Sequence, residues 1–271
     1  MLFFLYYMCF VTLLYLIGPL LPILFDQIKP LNQSRPRVIL FQVEYFLDEE
    51  KYKMPMIIHA FIFTPLPTTV AVAYDVMFAT SIHHASSIFR IVGKRLQFSI
   101  NDMERHGPKM DILLVQTELR RALVESIRLH RDILQFVDLL QAIFSTSLFI
   151  MNILTMINLS MTAYQAVNNS GNSARLVGFA SYAIGQLIRL YFRSWHGQML
   201  TNSSESVFDS VYQADWYDLP FRLRRFIILI LARGKKQSKI TAGKLFDMSM
   251  ENFTFVVRTA ISYFTVLRSM Q

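Results

Sequence analysis

The sequence predicts an all-α protein, a polytopic membrane helix bundle with about five spanning helices and long cytoplasmic helical extensions. Its residues are 53% hydrophobic and only 17% charged, whereas a soluble domain is about 25% charged. Several stretches reach the roughly 20 apolar residues that a bilayer core requires. Most of the 27 lysines and arginines fall in alternate connecting segments, which is the sidedness of a membrane protein.

The first predicted span is residues 1–25, a run without a charged residue. It lacks the basic start and the short apolar region of a signal peptide. Cys9 is the single cysteine of the chain, which excludes an internal disulfide and a cysteine metal cluster. A mixed polar loop, 26–55, follows this span.

Residues 56–92 form the second predicted span. Pro65 and Pro67 interrupt its backbone hydrogen bonding. Asp75 lies within the apolar run, where an acid either serves function or faces the interior of the bundle. His83 and His84 are adjacent, so on a helix their side chains point about 100° apart and do not converge on a metal ion.

Residues 93–135 are polar, with apolar side chains at helical spacing on Leu119, Leu123 and Ile127. The pattern predicts a helix that projects below the membrane and runs without a break into the third span, 136–165. A tight outer loop and a fourth span, 174–192, come next.

Residues 193–249 carry a short apolar run, Phe226–Ala232, with Arg224, Arg225 and Arg233 at its ends. Seven residues are too few to cross a bilayer. The run is therefore expected to lie at the inner membrane surface or to pack against protein. A cationic connector follows it, and the last predicted span is 250–267.

The distribution of basic residues predicts the orientation. The positive-inside rule places the loops around 93–135 and 193–249 in the cytoplasm and the C-terminus outside. The net charge is +8. The basic residues lie between apolar runs, which favours contact with anionic lipid over nucleic acid. No GxSxG, phosphate loop, HExxH or cysteine pair occurs, so we expect no enzyme, no metal site and no cofactor.

A series of aromatic, basic and polar residues runs through the last quarter of the chain, from Glu205 to Gln271. In order these residues are Tyr212, Trp216 and Tyr217, then Arg224, Arg225 and Arg233, then Thr241–Lys244, and finally Thr259–Phe264. This order of features resembles the C-terminal signature of the insect odorant receptor family. The resemblance implies an inverted seven-helix topology, of which this sequence is expected to lack the first two helices.

The resemblance also implies a function. The chain would be a tuning subunit of an odorant-gated, non-selective cation channel in olfactory sensory neurons, multi-pass in the plasma membrane with an extracellular C-terminus. It would form a heterotetramer with the family's co-receptor, each subunit giving its final helix to a central pore. The implied parts are 1–92, membrane helices and outer loop; 93–135, cytoplasmic extension; 136–192, membrane helices; 193–249, cytoplasmic anchor; and 250–271, pore-lining helix.

Particular residues take roles under this resemblance. The hydrophobic gate falls at Val266 and the polar residue one turn outward at Ser269. Assembly and anchoring are assigned to Trp216, Tyr217, Arg224 and Arg225. A pocket for a small volatile odorant, with apolar and aromatic walls, is expected at Tyr6, Phe10, Tyr15, Phe63, Thr69, Phe179 and Tyr182.

Two alternatives stay open at this point. A gustatory-type chemoreceptor channel could assemble without the co-receptor. A secondary transporter could use Asp75 and Asp138 as ion sites, but that class is built from internal repeats, and none is visible in this sequence.

Overall fold

Six helices and one small hairpin contain most of the described residues of the chain. The computed structural model describes residues 6, 13, 17, 52–63, 65–106, 112–169, 171 and 173–270. The all-α prediction is confirmed. The helices are α1 Lys53–Phe63, α2 Pro65–His106, α3 Ile112–Asn168, α4 Ser173–Tyr212, α5 Phe221–Gly234 and α6 Met250–Ser269; a 3-10 turn covers Trp216–Asp218, and β1 Thr241–Ala242 pairs with β2 Phe246–Asp247.

The chain divides into two compact units, Met1–Met77 and Phe78–Gln271. In the first unit α1 ends at Phe63 and α2 begins at Pro65, next to the prolines that break helical hydrogen bonding. Within it Asp75 is fully buried. The described residues of this unit otherwise expose many apolar side chains, among them Ile58, Ile62 and Val70.

The second unit is built around α3, which packs against α4, α6 and β1. With 57 residues, α3 is about 85 Å long, and it confirms the uninterrupted helix that the sequence predicts from the extension into the third span. Aromatic and aliphatic side chains fill the core between α2 and α3. Phe78 and Phe144 meet edge to face with their ring centres 5.2 Å apart, and Phe89 meets His130 at 6.0 Å.

Long apolar helices agree with the predicted membrane class. Among the described residues, two stretches of helix, Phe61–Asn101 and Gln116–Asn168, are long and apolar enough by length and composition to cross a bilayer. Helix α5 differs from these because it is short and amphipathic. It buries Leu223, Ile227, Ile230 and Gly234, one residue per turn.

Candidate pore helix and its anchor

The final helix, α6, begins at a defined cap. Ser249 has extended backbone angles, and its Oγ accepts a hydrogen bond from the Asn252 backbone N–H at 3.3 Å. Serine is a preferred residue at this position because it satisfies one of the unpaired N–H groups of the first turn. Glu251 lies in the first turn and Arg268 in the last, and both charges interact favourably with the helix dipole.

One face of α6 is buried against α3 and α4. Asn252, Val256 and Ala260 occupy this face at intervals of four residues. The Asn152 side-chain amide of α3 donates to Asn252 Oδ1 at 3.5 Å, and Ser160 Oγ donates to the Ala260 carbonyl at 3.1 Å. Beyond Ala260 the described part of α6 has no buried residue, and only Phe264 and Leu267 are partly buried there.

The opposite face of α6 is a continuous polar stripe. At 100° per residue, six polar side chains fall within an arc of about 80°, directly opposite the buried face. All six are exposed in the single chain. Several of the hydroxyl groups donate hydrogen bonds to backbone carbonyls of the helix itself, as Thr254 Oγ1 does to the Met250 carbonyl at 3.1 Å. The stripe consists of Glu251, Thr254, Arg258, Ser262, Thr265 and Ser269.

The two predicted gate residues lie near the C-terminal end of this helix. Ser269 is a member of the polar stripe, and its Oγ donates to the Val266 carbonyl at 2.8 Å. Val266 is 52% exposed and lies about 75° around the helix from the middle of the stripe. Both side chains are therefore available to a neighbouring subunit or to a pore, and their gating roles stay predictions.

A small hairpin, which sequence reasoning missed, attaches the base of α6 to α3. The Gln141 side-chain amide nitrogen of α3 donates to the Thr241 carbonyl at 3.0 Å and to Thr241 Oγ1 at 2.6 Å. Gln141 Oε1 in turn accepts from the Thr241 backbone N–H at 2.6 Å. One glutamine thus satisfies both backbone groups of a residue in β1, as a strand partner would.

The turn of the hairpin requires a glycine. Gly243 has φ +61°, a left-handed conformation that glycine adopts without steric cost. Its N–H lies 3.0 Å from the Ser145 carbonyl and 3.1 Å from Ser145 Oγ. A Cβ there would come within 2.8 Å of the Phe149 ring. Gly243 in the Thr-Ala-Gly-Lys sequence was the available signal for this turn, because glycine supplies the positive φ that many tight turns require.

A polar pocket of about 200 Å³ lies beside the base of α6, between α4, the connector and β2. Lys239 Nζ and Asp247 Oδ2 form an ion pair at 2.8 Å on its wall. This hydrogen bond, together with the charge of Asp247, raises the pKa of Lys239. The lining residues are Gln198, Thr201, Asn202, Glu205, Gln237, Lys239, Asp247, Ser249 and Glu251.

The four predicted anchor residues surround the start of α5. Trp216 and Tyr217 lie in the 3-10 turn with their ring centres 6.4 Å apart. Arg224 Nε donates to the Leu219 carbonyl at 2.6 Å, and the Arg225 guanidinium lies 5.3 Å from the centre of the Phe221 ring. These contacts are local, and the part of the four residues in assembly stays a prediction.

The predicted odorant-binding residues are divided between the two units. Tyr6 and Phe63 of the first unit are exposed, and Thr69 Oγ1 donates to the Pro65 carbonyl at 2.8 Å. In the second unit Phe179 is partly buried and Tyr182 is exposed. Phe10 and Tyr15 lie outside the described residues. Ligand contact at all seven positions stays a prediction.

Three comparisons place the chain among known proteins. The sequence profile of the family described as 7tm Odorant receptor matches residues 1–261. The chain is 27% identical over 146 residues to Odorant receptor Or2 of Anopheles gambiae, which covers 54% of this chain and 38% of that protein. It is 27% identical over 159 residues to the Odorant receptor coreceptor of Ooceraea biroi, covering 56% and 33%. The chain thus spans less than half the length of these relatives.

The fold also matches a solved structure. The insect olfactory receptor OR5 from Machilis hrabei, in complex with eugenol, superimposes with a TM-score of 0.81 at 15% sequence identity. The superposition covers 99% of this chain and 66% of that receptor. The same receptor in a second structure gives a TM-score of 0.77.

Proposed function

The chain belongs to the 7tm odorant receptor family, and on this basis we propose that it is a subunit of an odorant-gated cation channel whose helix α6 lines the ion path. The polar stripe of α6 carries this proposal. A helix that faced lipid on that side would place Arg258, two turns into the helix, in hydrocarbon, at considerable cost. A water-filled path bounded by several copies of α6 solvates this charge and leaves the apolar flanks for protein and lipid.

The orientation of the chain and the roles of its segments follow from the same family membership. Family membership and the two long apolar helices make the chain a membrane protein. We propose that it lies in the plasma membrane with 93–135 and 193–249 in the cytoplasm and the C-terminus outside. The excess of basic residues in those two segments supports this orientation. Residues 1–92 and 136–192 then supply the membrane helices, and 250–271 supplies the pore-lining helix.

The ligand and the partner are also proposals. The related receptor OR5 was solved with eugenol, a small aromatic molecule, which supports a volatile odorant as the ligand of this chain. Several matched relatives are odorant receptor coreceptors, which supports assembly with such a protein into a heterotetramer. In that assembly Val266 would be the hydrophobic gate and would close the path by dewetting.

Cysteine accessibility tests the orientation of α6. Ser262 lies on the polar stripe, whereas Tyr263 is equally exposed in the single chain but lies about 140° from the stripe. A charged thiol reagent should reduce odorant-evoked current in Ser262→Cys and leave Tyr263→Cys unchanged, with Cys9 replaced by serine in both. Modification of the two positions to the same extent would contradict the pore assignment.

The gate is tested separately, in the complete receptor expressed with the co-receptor. Val266→Ala should raise the current measured without odorant, because a smaller side chain weakens the dewetted barrier. Unchanged basal current at normal surface expression would refute the gate assignment.

A further inference from the structure

Two histidines that are far apart in sequence meet in the second unit. His83 lies on α2 and His196 on α4, and their ring centres are 5.3 Å apart with an angle of 70° between the ring planes. His83 is exposed and His196 is 4% exposed. The pair is therefore exposed on the side of His83 and enclosed by protein on the side of His196. The channel function proposed above makes no use of it.

The hydrogen bonding of His196 leaves its second ring nitrogen able to bind a metal. His196 Nδ1 lies 2.6 Å from the Phe192 carbonyl oxygen. A carbonyl can only accept, so Nδ1 carries the proton, and Nε2 of the neutral ring keeps its lone pair. A metal-bound histidine characteristically donates its other N–H to a backbone carbonyl or a carboxylate. His196 already makes such a hydrogen bond, to the Phe192 carbonyl.

The separation of the rings also fits a shared ion. A zinc–nitrogen bond is about 2.0–2.1 Å, and the ring centre lies about 1.2 Å beyond the bound nitrogen. Two imidazoles at a tetrahedral angle therefore have ring centres about 5.2 Å apart. The observed 5.3 Å matches this separation, and rotation of the exposed His83 ring would aim a nitrogen at the ion.

We propose that His83 and His196 bind a single divalent transition-metal ion, represented by Zn²⁺, and that the ion joins α2 to α4. In the described part of the chain no third His, Cys, Asp or Glu completes the set. Water fills the other coordination positions, so binding is reversible and the site is not a closed structural one. An ion at this point restrains movement of α2 against α4.

The neighbouring His84 provides a matched control. It follows His83 directly, but its ring packs edge to face on Phe136 with the ring centres 5.8 Å apart. Its side chain points about 100° away from that of His83. Replacing either residue with alanine removes one exposed histidine from the same turn of the same helix. Only His83→Ala removes the proposed ligand.

The experiment measures Zn²⁺ binding to the purified receptor by titration calorimetry and by the rise in Tm with added ZnCl₂. The wild-type protein and His84→Ala should bind alike. His83→Ala should bind at least about tenfold more weakly, since loss of even an outer partner of a metal site costs about 10–100-fold. His83→Cys should recover binding, because a thiolate is a zinc ligand, whereas mere ring packing would not be restored.

Each outcome decides the proposal. Equal Zn²⁺ affinity in wild type and His83→Ala, or equal loss in His83→Ala and His84→Ala, would overturn it. Failure of His83→Cys to recover binding would also count against a ligand role. Because these assays measure no current, they stand apart from the channel function.

Discussion

The contact between Gly197 and Met248 makes a sharp test of how α4 positions the pore helix. Gly197 lies in the buried part of α4, and Met248 lies two residues before α6. A Cβ built on Gly197 would overlap the Met248 carbonyl oxygen and come within 2.6 Å of Met248 Cβ. Gly197→Ala therefore forces backbone, and not the end of a flexible side chain, to move.

The size of the effect follows from the distances. Ordinary contact begins at 3.4 Å, so Met248 must retreat by about 0.8 Å or more. Overpacking of this kind costs about 1–3 kcal/mol, and the better helix propensity of alanine returns up to about 1 kcal/mol. The Met248 N–H donates to the Ile240 carbonyl at 2.8 Å, so the displacement reaches the hairpin as well as the start of α6. We expect a net loss of about 1–2 kcal/mol of stability.

Gly178→Ala is the matched control. Gly178 lies in the same helix, and a Cβ there would meet no atom within 4 Å, so only the propensity gain of up to about 1 kcal/mol applies. Tm of the purified receptor and the odorant dose–response curve are the measurements. Gly197→Ala should lower Tm and shift the dose–response curve, and Gly178→Ala should do neither. Superimposable curves for Gly197→Ala and wild type would refute the reasoning.

Two further predictions concern the hairpin and the polar stripe. Gln141→Leu removes three hydrogen bonds to Thr241, so it should cost about 2–4 kcal/mol and lower Tm. Gln135 is exposed on the same helix, so Gln135→Leu should leave Tm unchanged. An equal fall in Tm for the two variants would contradict the hairpin's role. Arg258→Gln should raise single-channel conductance, because it removes a positive charge from the proposed cation path. Arg258→Lys keeps the positive charge and should leave conductance nearly unchanged. Equal conductance in Arg258→Gln and wild type would argue against the assignment.

The helices with a clear apolar pattern were predictable from the sequence of this chain. The continuous helix through residues 112–168 was expected because apolar residues recur at helical spacing on both sides of residue 135. The short apolar run between arginines predicted that Phe226–Ala232 does not span the membrane, and the structure places it in the short helix α5. These features arise from local patterns, and local patterns are what the residue order records directly.

The hairpin and its attachment to α3 were not predicted. Its strands have two residues each, too few for an alternating pattern, and its stability comes from Gln141 and Ser145, about 100 residues earlier in the chain. The contact of His83 with His196 was missed for the same reason. Position in the sequence relates His83 only to its neighbour His84, and the fold turns His84 toward Phe136.

Composition, apolar run length and the placement of basic residues determined by themselves that this chain is a helical membrane protein, and the C-terminal residues pointed to its family. Tertiary packing alone decided which face of α6 is buried. The six polar residues of the stripe can be placed opposite Asn252, Val256 and Ala260 only after α3 and α4 have covered that side. Helical periodicity fixes the angles between side chains, but only contact with other elements determines which direction faces the protein.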